Sequence, residues 1–127
     1  MKALFSEQYY REHWDELLKP CKKFWGRSQH CVDLESDLAD YMDPYQAAGI
    51  PAPVLDVLRH QKAQCLADEM DTLVREEMRV IRDVEAGRAS FGYTTYSQEY
   101  KARFEYRTRF EFNCLQLADF RRKYKLV

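Results

Sequence analysis

The chain has 127 residues, 46% of them apolar and 32% charged, with a net charge of −1. That is the length of one domain, 1–127, able to bury roughly two-thirds of its unfolded surface, and its composition excludes a disordered tail. No apolar run approaches the ~20 residues of a membrane span, and the start, MKALFSEQYYREHW, turns polar after Phe5 and lacks a signal-peptide apolar region. The expectation is a cytoplasmic protein without a membrane partner.

In chain order, Ser6 is a good N-cap for a first helix at about 7–18, with Glu7 at the positive end of its dipole. Phe5 is placed to staple Tyr10. Tyr10, Trp14, Leu17 and Leu18 form its apolar stripe, and Pro20 ends or kinks it. Ser28 caps a second helix at about 29–42, with Cys31, Leu34, Leu38 and Tyr41 on one face. Asp33, Glu35, Asp37 and Asp40 cover the rest, as a solvated face or as a dock for a basic partner or the chain's own C-terminus. DPYQAAGIPAP reads as a loop with one helical turn after Pro44.

Pro53 opens the clearest element, a helix at about 53–86 closed by Gly87. Leu66, Met70, Leu73, Val80 and Val84 form its seam, and Glu77 fills the skipped position. A helix this long needs a long partner or a second copy of itself.

The segment RFEYRTRFEF, 103–112, alternates charge and ring with period 2, as a strand would. Yet neither glycine nor proline occurs after Gly92, and acids precede bases at i,i+4 in Glu99–Arg103 and Glu105–Arg109. These favour a helix at about 97–124, capped by Ser97 and antiparallel to the long one. Tyr96, Tyr100, Tyr106, Phe110, Cys114, Leu117 and Tyr124 would share its broad packed side. The expected fold is an all-α helical bundle built on this hairpin plus two shorter N-terminal helices. The alternative is α+β with a C-terminal β-hairpin at about 89–112.

Chemistry is sparse. With four isolated glycines there is no phosphate cradle, and no serine elbow occurs. His30 adjoins Cys31, but neighbours on a helix point about 100° apart and make no dyad. Cys21, His30 and Cys31 with His13 or His60 match no zinc pattern, and the four cysteines are read as reduced, mostly buried thiols. No cofactor or metal is expected.

What remains is a charge asymmetry. Residues 1–87 hold 11 Lys and Arg against 17 Asp and Glu, a balance of −6, and residues 88–127 hold 9 against 4, a balance of +5. Arginine and aromatic residues are enriched in interface hot spots. The expected function is a non-enzymatic small adaptor, regulator or inhibitor that docks a protein partner through a basic, ring-rich C-terminal helix. Its candidate contact residues are Tyr100, Arg103, Arg107, Arg109, Arg121, Arg122 and Lys123, with Arg107 as the test position. The alternative is a nucleic-acid-binding protein using the same segment, with guanidinium groups on phosphates and rings on bases. A third is a metal-dependent enzyme whose site is not visible in the sequence. A homodimer through the long helix is also expected.

Overall fold

A computed structural model describes residues 4–13, 16 and 32–127, all within an all-α bundle with no strand among them. Among these residues four helices are defined: α1 (Glu7–Glu12), α2 (Leu34–Ala47), α3 (Ala52–Glu85) and α4 (Tyr96–Tyr124). The β-hairpin alternative is excluded, since 103–112 is helical throughout. Breaker-free length and i,i+4 pairing outweigh the period-2 pattern there.

Ser6 caps α1 by accepting from the Tyr9 amide, and Phe5 lies edge-on to Tyr10 with centroids 5.6 Å apart. Trp14, Leu17, Leu18, Ser28 and Cys31 lie outside the described residues. The second helix begins later than expected: Asp33 is its N-cap, accepting from the Ser36 amide. It also runs on to Ala47 through Pro44, where a loop was expected. Proline removes one amide there, but the turn closes because the Ala48 amide still reaches the Pro44 carbonyl at 3.0 Å.

α3 matches its expected 34-residue length, shifted by one residue. It ends in a Schellman motif: Gly87 sits at φ 75°, its amide reaches the Val84 carbonyl, and Arg88 reaches Asp83 at 2.8 Å. α4 is capped by Thr95, not Ser97, through the Gln98 amide. The pairs Glu85–Arg107, Glu77–Arg109 and Asp71–Arg121 run in opposite order along α3 and α4, so the hairpin is antiparallel.

The seam of α3 is Ala63, Ala67, Met70, Val74, Glu77, Ile81 and Val84, alternating steps of four and three. Val74 and Ile81 replace the expected Leu73 and Val80. Phe110, Leu117 and Phe120 of α4 meet this seam, and Leu34, Leu38 and Met42 of α2 close the core. Glu77, only 2% exposed, holds two partners from α4: Arg109 at 3.2 Å and the Asn113 amide at 2.9 Å.

The opposite side of α4 is also covered. Tyr10 packs edge-on against Phe112 at 5.1 Å, and its hydroxyl donates to Glu111. Glu111 also takes the Leu4 amide on both oxygens, at 2.8 and 3.0 Å. Burial pushes its carboxyl up from the usual range, opposed by the Leu4 amide. Arg11 grips Asp119 with both terminal nitrogens, at 2.6 and 2.8 Å, which holds the Asp119 carboxyl low. Thus three helices bury three sides of α4, as rings on nearly every side of it require.

One buried hydroxyl, that of Thr108, has no hydrogen-bond partner among the described residues. An unmet buried polar group costs about 1–3 kcal/mol, and valine has the same shape. Thr108→Val should therefore raise stability by about 1 kcal/mol, read as a higher urea midpoint at unchanged m-value.

Candidate docking surface

Because Arg107 lies opposite Glu85, the last residue of α3, the start of α4 overhangs its partner helix. Tyr106 still packs against the core, so residues 96–103 are the part that projects past α3, by roughly two turns at 3.6 residues per turn. The connection 86–95 is tied to this overhang by Glu99, which accepts the Phe91 amide at 2.9 Å and the Tyr93 amide at 3.4 Å. The Phe91 amide first, and Arg103 with it, hold the Glu99 carboxyl below its usual range.

The overhang presents rings to solvent. Tyr96 is 85% exposed and Tyr100 61%, their ring centroids 6.3 Å apart and nearly parallel. Tyr93 and Phe104 are exposed as well, and Phe5 touches Phe104 edge-on at 5.9 Å. Beside them lies a groove of about 400 Å³, floored by Ile81 and Val84 of α3 and walled by Leu4, Phe91, Tyr106 and the guanidinium groups of Arg103 and Arg107.

The seven sequence-derived contact residues do not form one surface. Tyr100 and Arg103 sit on the overhang, and Arg103 pairs with Glu99 at 3.3 Å. Arg107 belongs to the internal framework, 3.4 Å from Glu111 and 3.8 Å from Glu85. Arg109 is turned into the seam, 9% exposed, with its guanidinium 4.6 Å over the Tyr106 ring, so it is not on the surface at all. Arg121, Arg122 and Lys123 lie at the far end of α4, roughly 30 Å from Tyr100 at 1.5 Å per residue. There Arg121 meets Asp71 at 3.4 Å, Arg122 meets Asp119 at 3.2 Å, and Lys123 meets Glu35 at 3.2 Å. Tyr124 also donates to Glu35 at 2.7 Å. The acidic start of α2 is thus a dock for the chain's own C-terminus. Each candidate cation has an intramolecular carboxylate partner, so a continuous free cationic wall is not formed.

The sequence reading missed Phe91, Tyr93 and the exposure of Tyr96, which it placed on the packed side. The signal was present: Gly87 closes α3, and only a short, turn-rich connection separates it from Tyr96.

Among the described residues no cluster of three or more His, Cys, Asp or Glu is placed to hold a metal ion. Of the residues considered for zinc, Cys21, His30 and Cys31 lie outside the described residues. Cys65 and Cys114 are free thiols. Cys65 is exposed, against expectation, while burial, then Glu77 and Glu111, pushes the Cys114 thiol up to about 11, which makes it a poor nucleophile. No helix among the described residues is long and apolar enough to cross a membrane. No protein-family model matches the chain, and no curated protein or solved structure matches it at a significant level.

Proposed function

We propose that this chain is a non-enzymatic adaptor, regulator or inhibitor that works by docking a protein partner, and that the overhanging start of α4 is the surface that grips. The observation that carries this reading is the exposure of Tyr96 and Tyr100 over an apolar groove at the end of the helical hairpin. Tyrosine and arginine dominate interface hot spots, and contiguous exposed apolar patches of this kind mark interaction sites. The partner's chemistry follows from the pairing of the arginines. Since Arg103 and Arg107 already face carboxylates, a strongly acidic ligand gains little. An apolar, ring-bearing protein face with few uncompensated charges fits better.

Tyr100→Glu tests this, because it places a charge at the centre of the patch without touching the core. Affinity capture from the native host should retain a protein species on the wild type and lose it on the variant, in nuclease-treated and untreated lysates alike. Thermal and urea stability should stay within about 0.5 kcal/mol, as for surface changes generally. Retention that vanishes on nuclease treatment would transfer the face to nucleic acid. Retention unaffected by Tyr100→Glu would remove the overhang from the account.

A further inference from the structure

Resting on that docking reading, we infer that the partner this face fits first is a second copy of the same chain, paired about a two-fold axis at Tyr100. Three observations lead there.

The first is size. Tyr93, Tyr96, Tyr100 and Phe104 are between 37% and 85% exposed. At about 200 Å² of surface per ring they leave roughly 400–500 Å² in water. Two such faces together bury roughly 800–1,000 Å², the small end of specific interfaces. The face therefore suits a weak, concentration-dependent dimer.

The second is charge. The chain carries −1 overall, so two copies barely repel. The flanks of the stripe are neutralised within each copy, by Glu99 on Arg103 and by Glu111 and Glu85 on Arg107. A partner surface that is aromatic and already neutral is what the stripe itself offers.

The third is register. At 100° per residue, Tyr96, Tyr100, Arg103 and Phe104 fall within an arc of about 100° on α4. Tyr96 lies about 6 Å on one side of Tyr100, and Arg103 about 4.5 Å on the other, at 1.5 Å per residue. Arg103 and Tyr96 also lean to the same flank of the stripe. Two antiparallel copies related by a two-fold axis at Tyr100 keep that flank in common. The Arg103 guanidinium of each copy then reaches the Tyr96 ring of the other, a cation–π contact made twice, around a central pair of Tyr100 rings. Arg103 is half-exposed and Tyr96 almost fully so, which leaves both able to engage. Self-pairing covers the docking face, so any other partner must compete with the copy. Dilution exposes the face and concentration hides it.

Sedimentation equilibrium from 5 µM to 1 mM tests this. The wild type should rise from 15.2 kDa towards twice that mass, with a dissociation constant of roughly 10 µM to 1 mM, as such a small face suggests. Tyr100→Glu should remain monomeric throughout. Arg103→Glu should weaken association at least tenfold and Arg103→Lys by less. Tyr96→Leu combined with Arg103→Lys should weaken it by less than the product of the two single effects, since both remove one contact. A wild type that stays monomeric at 1 mM overturns the inference, as does a dimer indifferent to Tyr100→Glu. If the monomer still captures another protein in a Tyr100-dependent manner, only the self-pairing falls and the docking reading stands.

Discussion

Glu77→Leu is expected to destabilise the chain by about 3–5 kcal/mol, the usual cost of removing one member of a buried ion pair. The carboxylate sits on an inward position of the α3 seam and is shared by Arg109 and Asn113. Leucine fits the apolar surroundings, so the loss does not arise from shape. It arises because Arg109 cannot shed its charge and keeps its guanidinium largely out of water. The Asn113 amide loses its acceptor at the same time. Replacing all three, as Glu77→Leu with Arg109→Met and Asn113→Leu, should return stability to within about 1 kcal/mol of the wild type or exceed it, since a buried ion cluster is often no better than apolar packing of equal volume. Urea titration of the single and triple variants at unchanged m-value decides the matter. A single variant that loses less than about 1 kcal/mol would show that water reaches Arg109, and the seam would then be looser than described.

The same cluster shows where sequence reasoning reached and where it stopped. The position of Glu77 in the seam was legible, because apolar residues recur on either side of it at spacings of three and four. The choice between Leu73 with Val80 and Val74 with Ile81 was not. Both sets satisfy the heptad around Glu77, and only the rotation set by α2 and α4 selects one. The ends of α3 were legible because Pro53 and Gly87 have backbone demands of their own. The start of α2 was not, since Ser28 and Asp33 are both competent caps and local chemistry does not rank them.

For the docking surface, composition showed a cationic surplus in the last forty residues but not its counter-charges. Some are local, as Glu99 to Arg103, Glu111 to Arg107 and Asp119 to Arg122, but others lie far off in sequence: Glu77 is 32 residues from Arg109, and Asp71 is 50 from Arg121. Only the antiparallel return of α4 brings the distant ones together. Conversely, the exposed rings follow from a mismatch in helix ends, which the close of α3 at Gly87 and the short connection to Tyr96 signal but the periodicity of α4 alone does not. For the proposed docking, the candidate agent is therefore an aromatic patch and no longer a charged wall.

Phe112→Ala is expected to cost about 3–5 kcal/mol, as for a fully buried phenylalanine. Phe112 is 0% exposed yet lies on the side of α4 away from the Phe110 seam, two residues and about 200° around the helix. Its ring carries Tyr10, and the adjacent Glu111 carries the Leu4 amide and the Tyr10 hydroxyl. Removing it undercuts both the apolar and the polar attachment of α1. Loss should therefore appear locally as well as globally: the Leu4 amide should exchange with solvent far faster in Phe112→Ala, while amides in the middle of α3 keep the protection set by the reduced global stability. Tyr10→Phe separates the two attachments, since it keeps the ring and removes one hydrogen bond to a charged acceptor, at about 1.5–3 kcal/mol. If Phe112→Ala leaves Leu4 protected and costs under about 1 kcal/mol, the ring is not what seats α1. The Glu111 bonds to the Leu4 amide and the Tyr10 hydroxyl then carry that seat, because the exposed Arg11–Asp119 pair is of a kind ordinarily worth under about 1 kcal/mol. Leu4, one wall of the groove beside Tyr100, would in that case be anchored by Glu111 and not by the core.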